Sequence, residues 1–277
     1  MSVQRFTCSY KQLNIILQKL ESRKLKPILD NINEYYNKNN YYNIKKSIKK
    51  YPNNYFAVKL SSLGLQKIPD DKVYSQLDYL CKLAIKNNSK VLIDAENYLI
   101  QDQINDISNN LIETYNDKSV NVYKTYQMYR NDTLDILHND FDKYDYLGIK
   151  LVRGAYQNMD RKYGYIHDNK WLADRDYDRA IKLFFSKDNN HNIILATHNE
   201  ESVDYSLELL NKSNQKCLYN RVKYAQLLGM GDNLSNYLVD NNMEVYKYVP
   251  YGKFHETIPY LLRRLYENYP VAMHIFK

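Results

Sequence analysis

Cysteine is scarce in this chain: Cys8, Cys81 and Cys217 are odd in number, far apart and in no CxxC pair. At the level of sequence that excludes a disulfide scaffold and a cysteine zinc site. Glycine (7) and proline (6) are sparse too, which argues against a long flexible linker and against Pro-rich or collagen-like disorder. No stretch approaches the roughly 18 uncharged apolar residues of a membrane span. Met1 to Gln18 holds no apolar core with a small-residue cleavage site, so a secretory signal is not expected. There is no GxSxG elbow and no P-loop, and Gly229-Met230-Gly231 is a bare GxG with almost no weight for a dinucleotide fold. His198 has no second histidine at metal-ligand spacing, so no metal is expected.

What the chain has in quantity is tyrosine, 30 residues of 277. Setting these aside still leaves roughly a third of the residues apolar, enough for a real core. Lysine and arginine exceed aspartate and glutamate by 39 to 32, a net charge of +7. Such a balance suits nucleic acid, an anionic membrane face or an anionic small ligand. The densest basic run, Lys45-Lys46-Ser47-Ile48-Lys49-Lys50, carries no nucleic-acid motif and reads as a solvated helix face. A nucleic-acid partner is not expected. The tract Asn33 to Asn43 reads as compositional drift in a helix or loop.

Short runs of β-branched, aliphatic or aromatic residues recur at Pro27–Leu29, Tyr55–Leu60, Val91–Ala95, Val120–Tyr126, Tyr146–Val152, Ile193–Thr197, Val222–Leu227 and Val245–Val249. Between them lie charged stretches with helical apolar spacing, such as Tyr74, Leu77, Leu80, Cys81 and Ala84. Eight strands alternating with helices, at a mean spacing of about 31 residues, imply parallel βα units and predict an α/β (β/α)₈ barrel in a single domain. A doubly wound open sheet would want a glycine-rich turn after its first strand, and Pro27–Leu29 leads instead into Asp30-Asn31-Ile32.

A barrel does its chemistry at the carboxyl ends of its strands. The polar residues there are Lys59, Asp94, Gln127, Arg153, Thr197-His198-Asn199, Gln226 and Tyr248. Such residues usually cap the next helix, the preferred plain reading for Asp94 and Asn199. The last expected helix has a sharper pattern. Tyr260, Arg263, Arg264 and Glu267 sit at i, i+3, i+4 and i+7 and share one face, with Leu261, Leu262 and Leu265 on the other. The plain reading is a solvated face with an Arg263–Glu267 pair. The functional one is two guanidiniums aimed at a carboxylate.

Lys150-Leu151-Val152-Arg153-Gly154-Ala155-Tyr156, Ala196-Thr197-His198-Asn199, Gln226-Leu227-Leu228-Gly229-Met230, Tyr248-Val249-Pro250-Tyr251-Gly252 and Pro259-Tyr260-Leu261-Leu262-Arg263-Arg264-Leu265-Tyr266-Glu267-Asn268 together resemble the proline dehydrogenase family. They stand in the family's order. Val58-Lys59-Leu60-Ser61 and Ile93-Asp94-Ala95-Glu96 match its earlier strands, so the resemblance runs from about Pro27 to Asn268. It implies a flavin-binding barrel with the last helix over its mouth, divided as an N-terminal helical arm over 1–26, the barrel over 27–269 and a short tail over 270–277.

The resemblance further implies oxidation of L-proline to Δ1-pyrroline-5-carboxylate, with FAD as hydride acceptor and a quinone-type molecule re-oxidising it. Lys59, Arg263 and Arg264 would hold the substrate carboxylate; Leu151, Tyr248 and Tyr260 would wall the ring; Asp94 would order the cations, with Tyr156 near the flavin. Flavin contacts carry over to Lys150, Val152, Arg153, Thr197, His198, Asn199, Gln226 and Glu267. Lys150 stands where the bacterial branch has arginine and eukaryotic-type members have lysine. Lys124 replaces an amide of the family at the end of the fourth strand, and is expected to reach a flavin oxygen. A pyrroline-5-carboxylate dehydrogenase is a candidate partner. A mitochondrial location follows from the eukaryotic-type resemblance, although no transit peptide is visible; membrane association has no segment to support it. A second hypothesis is a barrel retired from catalysis that still binds flavin or a partner.

Overall fold

The structure, a computed structural model, describes residues 6–32, 36–187, 190–213 and 216–253. The segment carrying Tyr260, Arg263, Arg264 and Glu267 lies outside the described residues. Alternation along each strand decides the architecture, because successive side chains point to opposite faces. One set of alternate residues, Ile28, Ala57, Leu92, Tyr123, Ile194, Ala225, Tyr246 and Tyr248, forms a small cluster of its own. The residues between them, such as Leu29, Phe56, Ile93, Tyr126, Ile149, Leu195 and Val245, join the large cluster that includes the helices. A sheet with two separate apolar faces, one of them facing only itself, is a closed barrel.

The elements in order are β1 Cys8–Ser9, α1 Leu13–Ser22, β2 Lys26–Asn31, α2 Lys38–Lys50, β3 Tyr55–Val58, α3 Leu60–Leu63, α4 Asp70–Lys86, β4 Lys90–Ile93, α5 Tyr98–Tyr115, β5 Val122–Gln127, α6 Thr133–Lys143, β6 Gly148–Val152, α7 Gln157–Asp160, α8 Lys170–Ser186, β7 Asn192–Ala196, α9 Glu200–Lys212, β8 Val222–Leu227, α10 Asp232–Asp240 and β9 Glu244–Gly252. All pairings between these strands are parallel, and β9 bonds to both β2 and β8, closing the ring. The eight expected strands are present with shifted ends: Leu60 opens α3 instead of ending β3, while Val120 and Tyr146 precede their strands. The two-residue β1, paired with Tyr251 and Gly252, was not anticipated; a run that short has no detectable period.

Asparagine does local work in this fold. Asn37, Asn97, Asn169 and Asn199 each accept a backbone N–H with the side-chain oxygen and cap α2, α5, α8 and α9. The basic run of α2 is a solvated face, with Ile44, Ser47 and Ile48 buried behind it. At the amino ends of the strands the lumen is filled by tyrosine. The Tyr55 ring lies 4.7 Å from that of Tyr246 and 5.6 Å from that of Tyr123. Gly148 leaves space beside this plug, since a Cβ there would come within 2.4 Å of the Val122 carbonyl and 2.6 Å of Val120 Cγ1.

Lys124 and Leu151, both expected at the site, face away from the lumen. Lys124 pairs in register with Ile93 and Ile149, both on the helix side of the sheet. Its ammonium donates to Asp140 of α6 at 2.7 Å and to Asn109 of α5 at 2.9 Å, and Tyr126 donates to the same carboxylate at 2.6 Å. Burial pushes the ammonium below its ordinary range, opposed by Asp140. Leu151 likewise pairs with Tyr126 and Leu195, is fully buried in the outer cluster and walls no chamber. The strand period corrects both: each lies one residue from a lumen position. Asp140→Ala, which strands the Lys124 ammonium, should cost about 3–5 kcal/mol, whereas Lys124→Met with Asp140→Leu should be near neutral. Urea unfolding midpoints of the two proteins check this ordering.

Candidate active site

Lumen positions at the carboxyl ends of β2, β3, β4, β6 and β9 supply Asp30, Lys59, Asp94, Lys150 and Tyr248. Each follows by two or four residues from an apolar lumen residue of its own strand, except in β6, where Gly148 stands below Lys150. Lys150 donates to Asp94 Oδ1 at 2.6 Å, and the Tyr248 hydroxyl donates to Asp94 Oδ2, also at 2.6 Å. Lys59 lies 3.7 Å from Asp94 and donates to both oxygens of Asp30, at 3.0 and 2.8 Å. The Lys150 ammonium is 4.9 Å from the centre of the Tyr248 ring. Burial drives the Asp94 carboxyl upward, but Lys150, Lys59 and the Tyr248 hydroxyl outweigh it and hold the group below its usual range.

Asp94 therefore is no helix cap; Asn97 caps α5. Behind it, Glu96 takes the backbone N–H of Ser61 at 2.9 Å and also the Ser61 hydroxyl, which fixes the turn after Lys59. Burial raises the Glu96 carboxyl, opposed by those two bonds. The Glu96 carbonyl in turn accepts from Gln127 at 2.8 Å, so the ends of β3, β4 and β5 are tied together.

A second group forms beyond the ends of β6 and β7. Arg153 donates to Thr197 Oγ1 at 2.8 Å, to Ser202 Oγ at 3.1 Å and to Asp174, and its guanidinium lies 4.4 Å from the Tyr177 ring centre. Thr197 also accepts the Asn199 N–H at 3.0 Å, while the Asn199 side chain caps α9. The Leu227 N–H donates to His198 Nε2 at 3.3 Å, which puts the ring proton on Nδ1. That Nδ1 is buried and has no hydrogen-bond partner among the described residues. It lies against Gly231, the cap of α10, where a Cβ would come within 2.8 Å of it.

The proline dehydrogenase family model matches residues 4–274. The chain belongs to the proline dehydrogenase family. It is 33% identical over 219 residues to the hydroxyproline dehydrogenase of Xenopus laevis, covering 73% of this chain and 47% of that protein. It is 34% identical over 220 residues to proline dehydrogenase 2, mitochondrial, of Arabidopsis thaliana, covering 72% and 45%. Among solved structures it resembles proline utilization A from Bdellovibrio bacteriovorus, inactivated by N-propargylglycine, with a TM-score of 0.85 and 18% identity, over 96% of this chain and 32% of that one. The chain thus spans less than half the length of these relatives, and the last likeness shows the barrel fold.

Within the barrel the expected residues divide unevenly. Lys59, Asp94, Lys150 and Tyr248 converge, with Val152 on the same face as Lys150 and Tyr156 half-buried at the start of α7. Gln226 is turned to the helix side, where its amide oxygen accepts from Ser235 of α10 at 2.8 Å. Its register partner is Lys247, which donates to the Met230 carbonyl from the same outer face. Asp30 and Leu227 were missed by sequence reasoning. Leu227 packs against the lumen cluster and pairs in register with Tyr248. Both follow from counting by two from an apolar lumen residue, Ile28 for Asp30 and Ala225 for Leu227.

Burial depresses the His198 imidazole to about 4, and His191 to about 4 as well. Both are neutral in the fold and titrate near 6.5 when unfolded, so the unfolded chain binds more protons between those values. Stability is complete above about pH 6.5 and should be lost as pH falls toward 4, by about 3 kcal/mol at most per histidine. His198→Gln should flatten the curve in that window. Urea midpoints at pH 7.5, 5.5 and 4.5 for both proteins check it.

Proposed function

We propose that this chain oxidises L-proline to Δ1-pyrroline-5-carboxylate, with FAD as the hydride acceptor. The observation that carries the reading is the buried ion cluster at the mouth, Lys59–Asp94–Lys150 with the Tyr248 hydroxyl, in a chain of this family. Proline's handle is a carboxylate beside a saturated ring. Lys59, together with Arg263 and Arg264 from the family's last helix, locks that anion and fixes where C5 lies. Tyr248 and Tyr260 wall the ring and expel water from the reacting face. The nitrogen gives up one proton, C5 gives up a hydride, and a C=N bond forms. Bound FAD supplies the two-electron acceptor for that hydride.

The residues present fit such a group. A flavin dinucleotide brings a pyrophosphate, a ribityl chain and ring carbonyls, which want cations and N–H donors. The buried Nδ1–H of His198, without a partner among the described residues, is such a donor. Arg153, Thr197 and Asn199 stand beside it, Lys150, Val152 and Glu267 would complete the holding set, and Gln226 steadies α10 from behind. Lys150 would place positive charge where a reduced flavin is anionic. A quinone-type acceptor and a mitochondrial location complete the reading. The second is supported by relatives named mitochondrial. Among the described residues no helix is long and apolar enough to cross a membrane.

Anaerobic L-proline should bleach the flavin absorbance of the purified protein; a spectrum that stays oxidised would favour a barrel that binds flavin without turning over. Arg264→Ala should lose on the order of 30-fold or more in kcat/KM with flavin content unchanged. L-Proline should also be strongly preferred over trans-4-hydroxy-L-proline, because the Tyr248 ring standing against the proline ring would leave no room for an added oxygen. An added ring hydroxyl would be buried without a partner at about 1–3 kcal/mol. Tyr248→Ser should narrow the preference, chiefly by losing proline efficiency. Steady-state kcat/KM for both substrates on both proteins measures it.

A further inference from the structure

Asp30 adds a fourth charge to the mouth and makes the cluster alternate in sign: Asp30, Lys59, Asp94, Lys150. Their exposures are 1%, 7%, 6% and 6%, so water screens none of them well. The four formal charges cancel. Asp94 is shared between Lys150, the Tyr248 hydroxyl and Lys59, and the last of these is the longest contact at 3.7 Å. Asp30 gives both of its oxygens to Lys59. Its place is fixed by the sheet, with Asp30 in register with Ala57 on one side and Pro250 on the other.

We propose that Asp30 is a positioning residue that sets the affinity of this site for a carboxylate by aiming Lys59 and offsetting its charge. The inference rests on the reading that Lys59 meets the substrate carboxylate. Substrate and product both carry that carboxylate, so attraction from Lys59 acts on the two alike. Binding of that uniform kind lowers KM without raising kcat, and it holds the product back. With Asp30 ionised beside it, Lys59 offers direction and hydrogen bonds with a weaker field. An anion can then be oriented without being trapped.

Asp30→Asn keeps the shape and one acceptor for Lys59 while removing the charge. The probe is cyclopentanecarboxylate, a carboxylate on a saturated five-membered ring without the reactive nitrogen, titrated calorimetrically into the purified protein at pH 7.5 and fixed ionic strength. Asp30→Asn should bind it about tenfold more tightly than the parent, with unchanged flavin content and circular dichroism. In turnover of L-proline, both KM and kcat should fall. Asp30→Ser, which also removes the charge, should bind the probe more tightly too. Lys59→Met should lose probe affinity by about tenfold or more. If Lys59→Met loses the probe while both Asp30 variants bind it no better than the parent, Asp30 is scaffold and the proposal is overturned. Failure of both Asp30 variants to fold overturns it in the same way. If Lys59→Met keeps the parent affinity, the reading of Lys59 falls instead.

Discussion

A carboxylate taken out of water raises its own pKa unless cations and donors more than compensate, and the mouth of this barrel is arranged around one such group. Asp94 is buried, is met by Lys150 and Tyr248 at hydrogen-bond distance and by Lys59 a little farther off, and stays ionised as a result. Because its partners come from β6, β9 and β3, the one carboxylate ties together strands from around the ring. Losing it would strand the buried Lys150 ammonium and leave Lys59 with Asp30 alone, so fold and site share the same electrostatic fastening. The Ser61–Glu96–Gln127 ties add further reinforcement along the same arc of strands.

The order of elements was legible because eight short apolar runs alternate with amphipathic stretches, and parallel strands buried on both faces need such runs. Lys59, Asp94 and Tyr248 were legible because they stand near the ends of those runs, and Lys150 because it opens a family motif. What the sequence could not show directly was sidedness. Lys124 and Leu151 sit at strand ends in motifs that point to chemistry, yet each is one residue out of phase with the lumen. A fully buried parallel strand is apolar on both faces, so its period carries no label for inside and outside. The label came from the closed ring, in which Ile28, Leu92 and Ile194 face one another and fix the phase of their strands.

Asp30 shows the converse. It lies in a plain Lys-Pro-Ile-Leu-Asp-Asn run, and its importance comes entirely from Lys59, twenty-nine residues later in the chain. Asparagine was similarly undervalued. A composition rich in it looks like genomic drift, but four of these residues cap helices, and of these caps the strand-end pattern pointed only to Asn199 on α9. Long-range pairing and capping geometry are properties of the folded chain, and residue type alone announces neither.

The tyrosine plug at the amino ends of the strands has a kinetic meaning. The rings of Tyr55, Tyr123 and Tyr246 pack together at that end, so a small molecule reaches the charged cluster from the carboxyl ends of the strands. Entry and exit then share that end of the barrel. A chamber of that shape favours turnover in alternating visits over simultaneous occupancy by two reactants arriving from opposite ends.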